Sequence, residues 1–286
     1  MSSKKTQIGE VRSDINGYSA LAALYNELKD CIFETIEIDF SDCPWFDANM
    51  CAPLGAVLAT VIDNFNEISI VRTKLSVRKI LMKNRFLESF GYDAIRDTFR
   101  TTITYQRFAN NEEKAFAEYL ASKVHRDEFP RMSTALAERF RVSLLEIFVN
   151  ASIHAESTVG IFACGQFFPK KHYIDFSVAD AGLGIRRKIH KELGWRLNSD
   201  QAIEWALQEG HTTRRGNVPG GLGLKLIREF INLNKGRMQI VSDRGFWECS
   251  PAGETLERME LGFPGTVINI EINTSDTASY RLSNEG

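Results

Sequence analysis

The sequence predicts an α/β unit followed by an α+β two-layer sandwich, helices lying on one side of a mostly antiparallel sheet. Over the first hundred residues, short alternating strand patterns interleave with apolar helical ones, the signature of an α/β unit. Beyond that point strands gather into runs, at 159–167 and 173–178 and again at 237–242, 245–249 and 266–272, with long helical patterns before and between. Segregated runs of this kind favour helices packed against one face of a sheet. At 286 residues and 43% hydrophobic, the chain is long enough for two such units.

In the first unit, residues 18–28 (YSALAALYNEL) carry apolar side chains at helical spacing, and TIEIDF at 35–40 alternates as a strand does. An apolar helix at 48–61, a strand at 68–71 and a basic helix at 77–90 follow. The pattern thins at 93–97, which places the division at 105/106: residues 1–105 form the first unit and 106–274 the second. A strand at 102–105 precedes helices at 112–123 and 134–153, and a glycine-rich turn opens a helix at 222–233. Residues 275–286 are polar and are expected as a disordered tail.

Charge and cysteine usage exclude several classes. A net charge of -2 and a pI near 6.3 leave no basic footprint for nucleic acid. The longest apolar run, 51–62, falls short of the roughly 20 residues that span a bilayer, and the polar first sixteen residues do not read as a signal peptide. Five widely spread cysteines without a CxxC pair support neither a zinc site nor a redox motif, and fit reduced thiols in a cytoplasmic protein.

Three segments carry chemistry. Glu146, Asn150 and His154 stand four residues apart on one helix, so each step turns about 400° and all three project from one side. An apolar stripe of Val142, Leu145, Val149 and Ile153 is expected beside them, facing the sheet. An amide oxygen at 150 suits Mg²⁺, and a carboxylate one turn earlier suits a general base, though taken alone the trio is equally a solvated helix face. Next, Asp180-Ala-Gly182-Leu-Gly184 follows the strand YIDFSVA, where an acid at a strand end accepts from an exocyclic amine while glycines let a flat ligand approach. Taken alone this is equally an ordinary turn. Third, Gly220-Gly221-Leu222-Gly223 opens a helix, whose free N–H groups and positive dipole end favour phosphate.

In this order the segments resemble the GHKL ATP-binding family (gyrase, heat-shock chaperone, histidine kinase, MutL), whose sandwich is the Bergerat fold. LLEIFVNASIHA looks like its N box, DAGLGI its first glycine box and GGLGLKLI its second; His211-Thr212-Thr213-Arg214 resembles its lid segment, and Gly265-Thr266 heads the last strand. The resemblance implies ATP and Mg²⁺ as ligands. Asp180 would read the adenine amino group with Thr266 beside it, Gly182 and Gly184 would line the base, and Asn150 would hold Mg²⁺. Thr213 would lie in the lid, Gly220, Gly221, Leu222 and Gly223 around the phosphates, and Glu146 would be the catalytic base. Pro219 departs from the glycine often found there.

Residues 36–58 resemble the STAS domain of anti-sigma-factor antagonists, a strand ending in an acid, a loop with a second acid, then a helix. The serine that follows the second acid in that family is missing, since Asp47 precedes Ala48 and Asn49. The resemblance therefore implies a regulatory or docking domain that meets a protein partner without receiving phosphate there. The expected function is an ATP-dependent regulator, a serine/threonine kinase of anti-sigma-factor type. An ATP-hydrolysing conformational switch and a non-catalytic ATP-gated interaction module stay open, as does a homodimer.

Overall fold

The computed structural model describes residues 3–124, 129–154, 156–211, 213 and 222–282. Two sheets organise it. The first is parallel, in the order β1 (Ser3–Gln7), β2 (Thr35–Asp39), β3 (Glu67–Val71). Strand β1 was not expected from its polar sequence, SKKTQ. As an edge strand it pairs with β2 alone and buries only Thr6, so it needs no apolar alternation.

Helix α1 (Ile15–Leu28) starts where the Asp14 side chain accepts the Gly17 amide at 2.9 Å. Helix α2 (Cys51–Asp63) is preceded by a 3₁₀ turn, Ala48–Met50, and every residue from Cys51 to Leu58 is buried. A helix apolar all round needs neighbours all round. Here α2 touches the parallel sheet through β3, helix α1, and the strands of the second sheet. The expected basic helix at 77–90 is shorter. Helix α3 (Leu75–Lys83) stops at the buried Asn84, whose side chain accepts the Phe86 amide at 3.1 Å, and Arg85 takes left-handed backbone (φ 70°) before a 3₁₀ segment, Phe86–Phe90.

The second sheet runs β4 (Thr102–Phe108), β6 (Ile161–Phe168), β7 (Tyr173–Asp180), β9 (Gly253–Asn273), β8 (Arg237–Ser250), and every neighbouring pair is antiparallel. Strand β4 crosses residues 105 and 106, so a division there falls inside a strand. The segments 237–242 and 245–249 form one strand with irregular register at Asp243. Strand β9 begins at Gly253, well before 266. Its early part is exposed and pairs only with β8, so it shows no buried-face alternation in the sequence.

One face of this sheet carries helices α4 (Glu113–Val124), α5 (Thr134–His154) and α8 (Leu222–Asn234), packed over Ile161, Ala163, Ile174, Phe176, Ile240 and Ile270. Helices α6 (Gly184–Leu193) and α7 (Ser199–Leu207) contact β8. The opposite face, expected to be open in a two-layer sandwich, is covered by α1 and α2. There Phe162, Val241, Phe246 and Val267 share one core with Tyr18, Leu21, Leu54 and Leu58. The sheet thus lies between two helical layers. A polar row crosses this covered face in register: Cys164 opposite Ser177, Ser177 opposite Asn269, Asn269 opposite Gln239. Asn49 caps the row, donating to Ser177 Oγ at 3.2 Å, Asn269 Oδ1 at 3.0 Å and Ser13 Oγ at 3.0 Å.

The expected tail is in part ordered. Strand β10 (Ser279–Tyr280) pairs in parallel with β5 (Arg131–Met132), and buried Tyr280 packs its ring on Phe230, 5.3 Å between centroids. Polar composition hid the one aromatic anchor that holds it. No helix among the described residues is long and apolar enough to cross a membrane.

Candidate functional site

The site is built on the end of β7. Strand alternation turns Asp180 to the face covered by α4, α5 and α8, the same face as Ile174, Phe176 and Val178. Its carboxylate is buried, and Oδ1 accepts the Gly182 amide at 2.9 Å and the Thr266 amide at 3.3 Å. Burial pushes the Asp180 carboxyl up to about 7, against the two amides, which lower it.

Glycine is required around this acid. Gly265 has φ +82°, and a Cβ there would fall 2.3 Å from the Asp180 carbonyl oxygen and 2.5 Å from its Oδ1. Gly184, with φ +72°, starts α6, and a Cβ would meet Ser242 Oγ at 2.9 Å and Gly265 O at 3.0 Å. Ser242 ties the pieces together. Its Oγ accepts the Ile185 amide at 2.8 Å, donates to Gly265 O at 3.1 Å and lies 3.2 Å from Thr266 Oγ1. Asp180, Gly182, Gly184 and Thr266, read separately along the chain, therefore meet in one cluster. Ser242 was missed, because a serine inside RMQIVSD carries no local signal.

Below Ser242, the irregular residue Asp243 accepts from Arg186 Nε at 2.6 Å and Ser199 Oγ at 2.9 Å, fixing α6 and α7 to the same stretch of β8.

Helix α5 carries the second cluster. Glu146 and Asn150 are half-buried, one turn apart. Gly223, buried in the first turn of α8, lies against Glu146: a Cβ there would come 2.1 Å from Glu146 Oε2. Glycine is thus what lets the carboxylate approach the start of α8. Helix α5 packs on both α8 and β7, which joins the two clusters through one element.

The expected apolar stripe on α5 is corrected. Val142 and Ile153 are exposed, at 45% and 57%, and the buried side chains are Phe140, Leu144, Ile147, Phe148 and Ala151. At about 100° per residue this core face lies on the other side of the Glu146–Asn150 row. Neighbouring α4 and α8, and not the sheet alone, set which face is buried. The polar row still borders the core.

Thr213 is half-buried, just past His211, whose ring stacks on Trp205 at 4.9 Å and whose Nδ1 lies 3.0 Å from the Trp205 carbonyl oxygen. Gly220, Gly221, Arg214, Arg215 and Pro219 lie outside the described residues, as do the side chains of Leu222 and His154. Among the described residues no group of three or more His, Cys, Asp or Glu is placed to hold a metal. A groove of about 650 Å³ between α7, α8 and the β8–β9 hairpin is lined by Lys225, Arg228, Trp247 and Glu254, and by none of the candidate residues.

No protein-family model matches the chain, and no curated protein matches it.

The arrangement has definite chemical capacities. A buried acid with its second oxygen at a glycine-framed strand end suits an amine donor on a flat ring. A half-buried carboxylate against a helix start suits work near an anion held by that helix end.

Proposed function

We propose that this chain binds Mg-ATP in a GHKL-type pocket and acts as an ATP-dependent regulator, a serine/threonine kinase of anti-sigma-factor type. The observation that carries the reading is Asp180. It is a buried carboxylate at a strand end, oriented by the amides of Gly182 and Thr266, with Gly265 so close that a Cβ there would clash with it. In this reading Asp180 accepts the adenine amino group, Thr266 supports it, and Gly182 and Gly184 line the base. Gly220, Gly221, Leu222 and Gly223 surround the phosphates, with Thr213 on the lid side. Asn150 holds Mg²⁺ with an amide oxygen. A single protein oxygen donor fits a metal held chiefly by phosphates. Bound Mg²⁺ neutralises phosphate charge; Glu146 takes the proton of the attacking hydroxyl or water.

The contact between Glu146 and Gly223 favours turnover over passive binding, so an ATP-hydrolysing switch is the second reading. A non-catalytic ATP-gated module is the third. Residues 1–105 serve as a STAS-like docking domain for a protein partner. Ala48 and Asn49 are 1% and 0% exposed against the sheet, which supports a role without phosphate transfer there. Buried free thiols fit a cytoplasmic setting.

Calorimetry with Asp180→Asn tests the pocket. The variant should hold or raise its melting temperature and lose about 10- to 100-fold in ATP affinity, the worth of one hydrogen bond to a charged group; unchanged affinity removes the adenine assignment. Incubation with γ-labelled ATP, following phosphate release and protein labelling together, separates kinase from ATPase.

A further inference from the structure

The end of the parallel sheet where β2 and β3 begin exposes Ile32, Phe33, Ile62 and Phe65. Phe33 and Phe65 are 61% and 72% exposed and stack on each other, 5.1 Å between centroids and 14° between planes. Both have left-handed backbone, φ 55° and 61°. Bulky side chains are outliers in that region, where glycine or asparagine sits with little strain. Two loops thus each hold a strained phenylalanine, and neither ring enters the core.

The frame beneath them is fixed. Buried Asn66 accepts the Glu34 amide at 2.9 Å and donates to the carbonyls of Cys31 and Val61, both at 2.8 Å. Asn64 donates to the Lys29 carbonyl at 3.1 Å. A preorganised apolar surface loses little entropy on binding.

Charge identifies the occupant. Asp30, Glu34, Asp63 and Glu67 flank the four apolar residues; of the nearby cations, Lys29 bonds Asn26 and Lys4, at the start of β1, pairs with Glu27, and among the described residues none of the four acids is in an ion pair. We propose that this patch docks a protein segment whose apolar anchor is flanked by Lys or Arg. Such a segment buries the rings and supplies the missing cations. An anionic membrane is repelled by this rim, and a two-fold pairing of the patch with itself opposes like charges. The patch lies at the far end of α2 from the Ala48–Met50 turn, about 20 Å away along a 13-residue helix.

The inference deepens the docking role given to residues 1–105 and needs no nucleotide. Its test titrates the full chain, without ATP, against labelled short peptides carrying a Leu or Phe anchor flanked by Lys and Arg, and a matched set flanked by Glu. The basic set should bind and the acidic set should not. Phe33→Gly with Phe65→Gly should weaken binding about tenfold or more while holding or raising the melting temperature, because glycine relieves the strain. Asp30→Lys with Asp63→Lys should transfer preference to the acidic set. The proposal is overturned if neither set binds, if the glycine variant binds equally, or if its melting temperature falls, which would make the rings part of the fold. Binding to phosphatidylglycerol vesicles, or a dimer abolished by the glycine variant, would overturn it in favour of a membrane or a second copy. ATP titration of the same variants reads the nucleotide pocket separately.

Discussion

Asp180 is held ionisable but uncomfortable. Its carboxyl, raised to about 7 by burial, keeps a proton in the folded chain across a range where the unfolded chain, at about 3.8, has lost it. The folded state therefore binds more protons between those values, and stability from this group falls as pH rises through that window. Asp180→Asn should flatten that part of the curve, read by urea unfolding between pH 4 and 7. An adenine amine donates to the carboxylate, so ATP affinity should climb as pH rises through about 7 and level off above it. Calorimetry in buffers of different ionisation enthalpy should record proton release on binding; flat affinity from pH 6 to 8.5 would count against Asp180 as acceptor. Glu146 offers a second test at this scale. Glu146→Ala should bind Mg-ATP and lose turnover by roughly 10²–10⁴-fold, the range for a general base. Gly223→Ala should push the carboxylate aside and lose turnover too, since its Cβ would fall 2.1 Å from Oε2. In the double variant the two losses should not add, because they disable one group.

At the scale of elements, the 3₁₀ turn Ala48–Met50 is the joint between the units. Asn49 is fully buried there and gives its amide hydrogens to oxygens from Ser13, Ser177 and Asn269, which lie far apart in the chain. Asn49→Ala should destabilise by about 1–3 kcal/mol, the usual cost of orphaning a buried polar group. Denaturant unfolding should show a lower midpoint with an unchanged slope. A neutral result would mean the polar row closes on itself without Asn49. The position also explains why no phosphate is expected here: a charged group would have to enter a sealed face of the sheet.

At the scale of the molecule, one core joins the N-terminal unit to the second sheet. Phe162, Val241, Phe246, Phe263 and Val267 are buried only because α1 and α2 cover them. Deleting residues 1–100 should therefore leave a chain with a large exposed apolar face that aggregates on expression. Size-exclusion chromatography of the truncated chain decides this. A monodisperse fragment that still binds ATP would show that the covering layer is dispensable.

The sequence by itself determined most element positions, since amphipathic periods are local: α1, α2, α4, α5 and α8 fall within a few residues of their expected bounds, and so do β2, β6 and β7. It also marked Asp180, Gly184 and Gly223, because glycine beside an acid or a helix start is a local requirement of close approach; Thr266 entered only through the resemblance. Only the tertiary structure decided what covers what. The core face of α5 depends on α4 and α8, the ordered end at Tyr280 depends on Phe230, and the second face of the sheet depends on helices from the far end of the chain. Ser242, which ties Gly265 to Ile185, is invisible in sequence for the same reason. Burial is a property of neighbours, and neighbours distant in sequence leave no period to read.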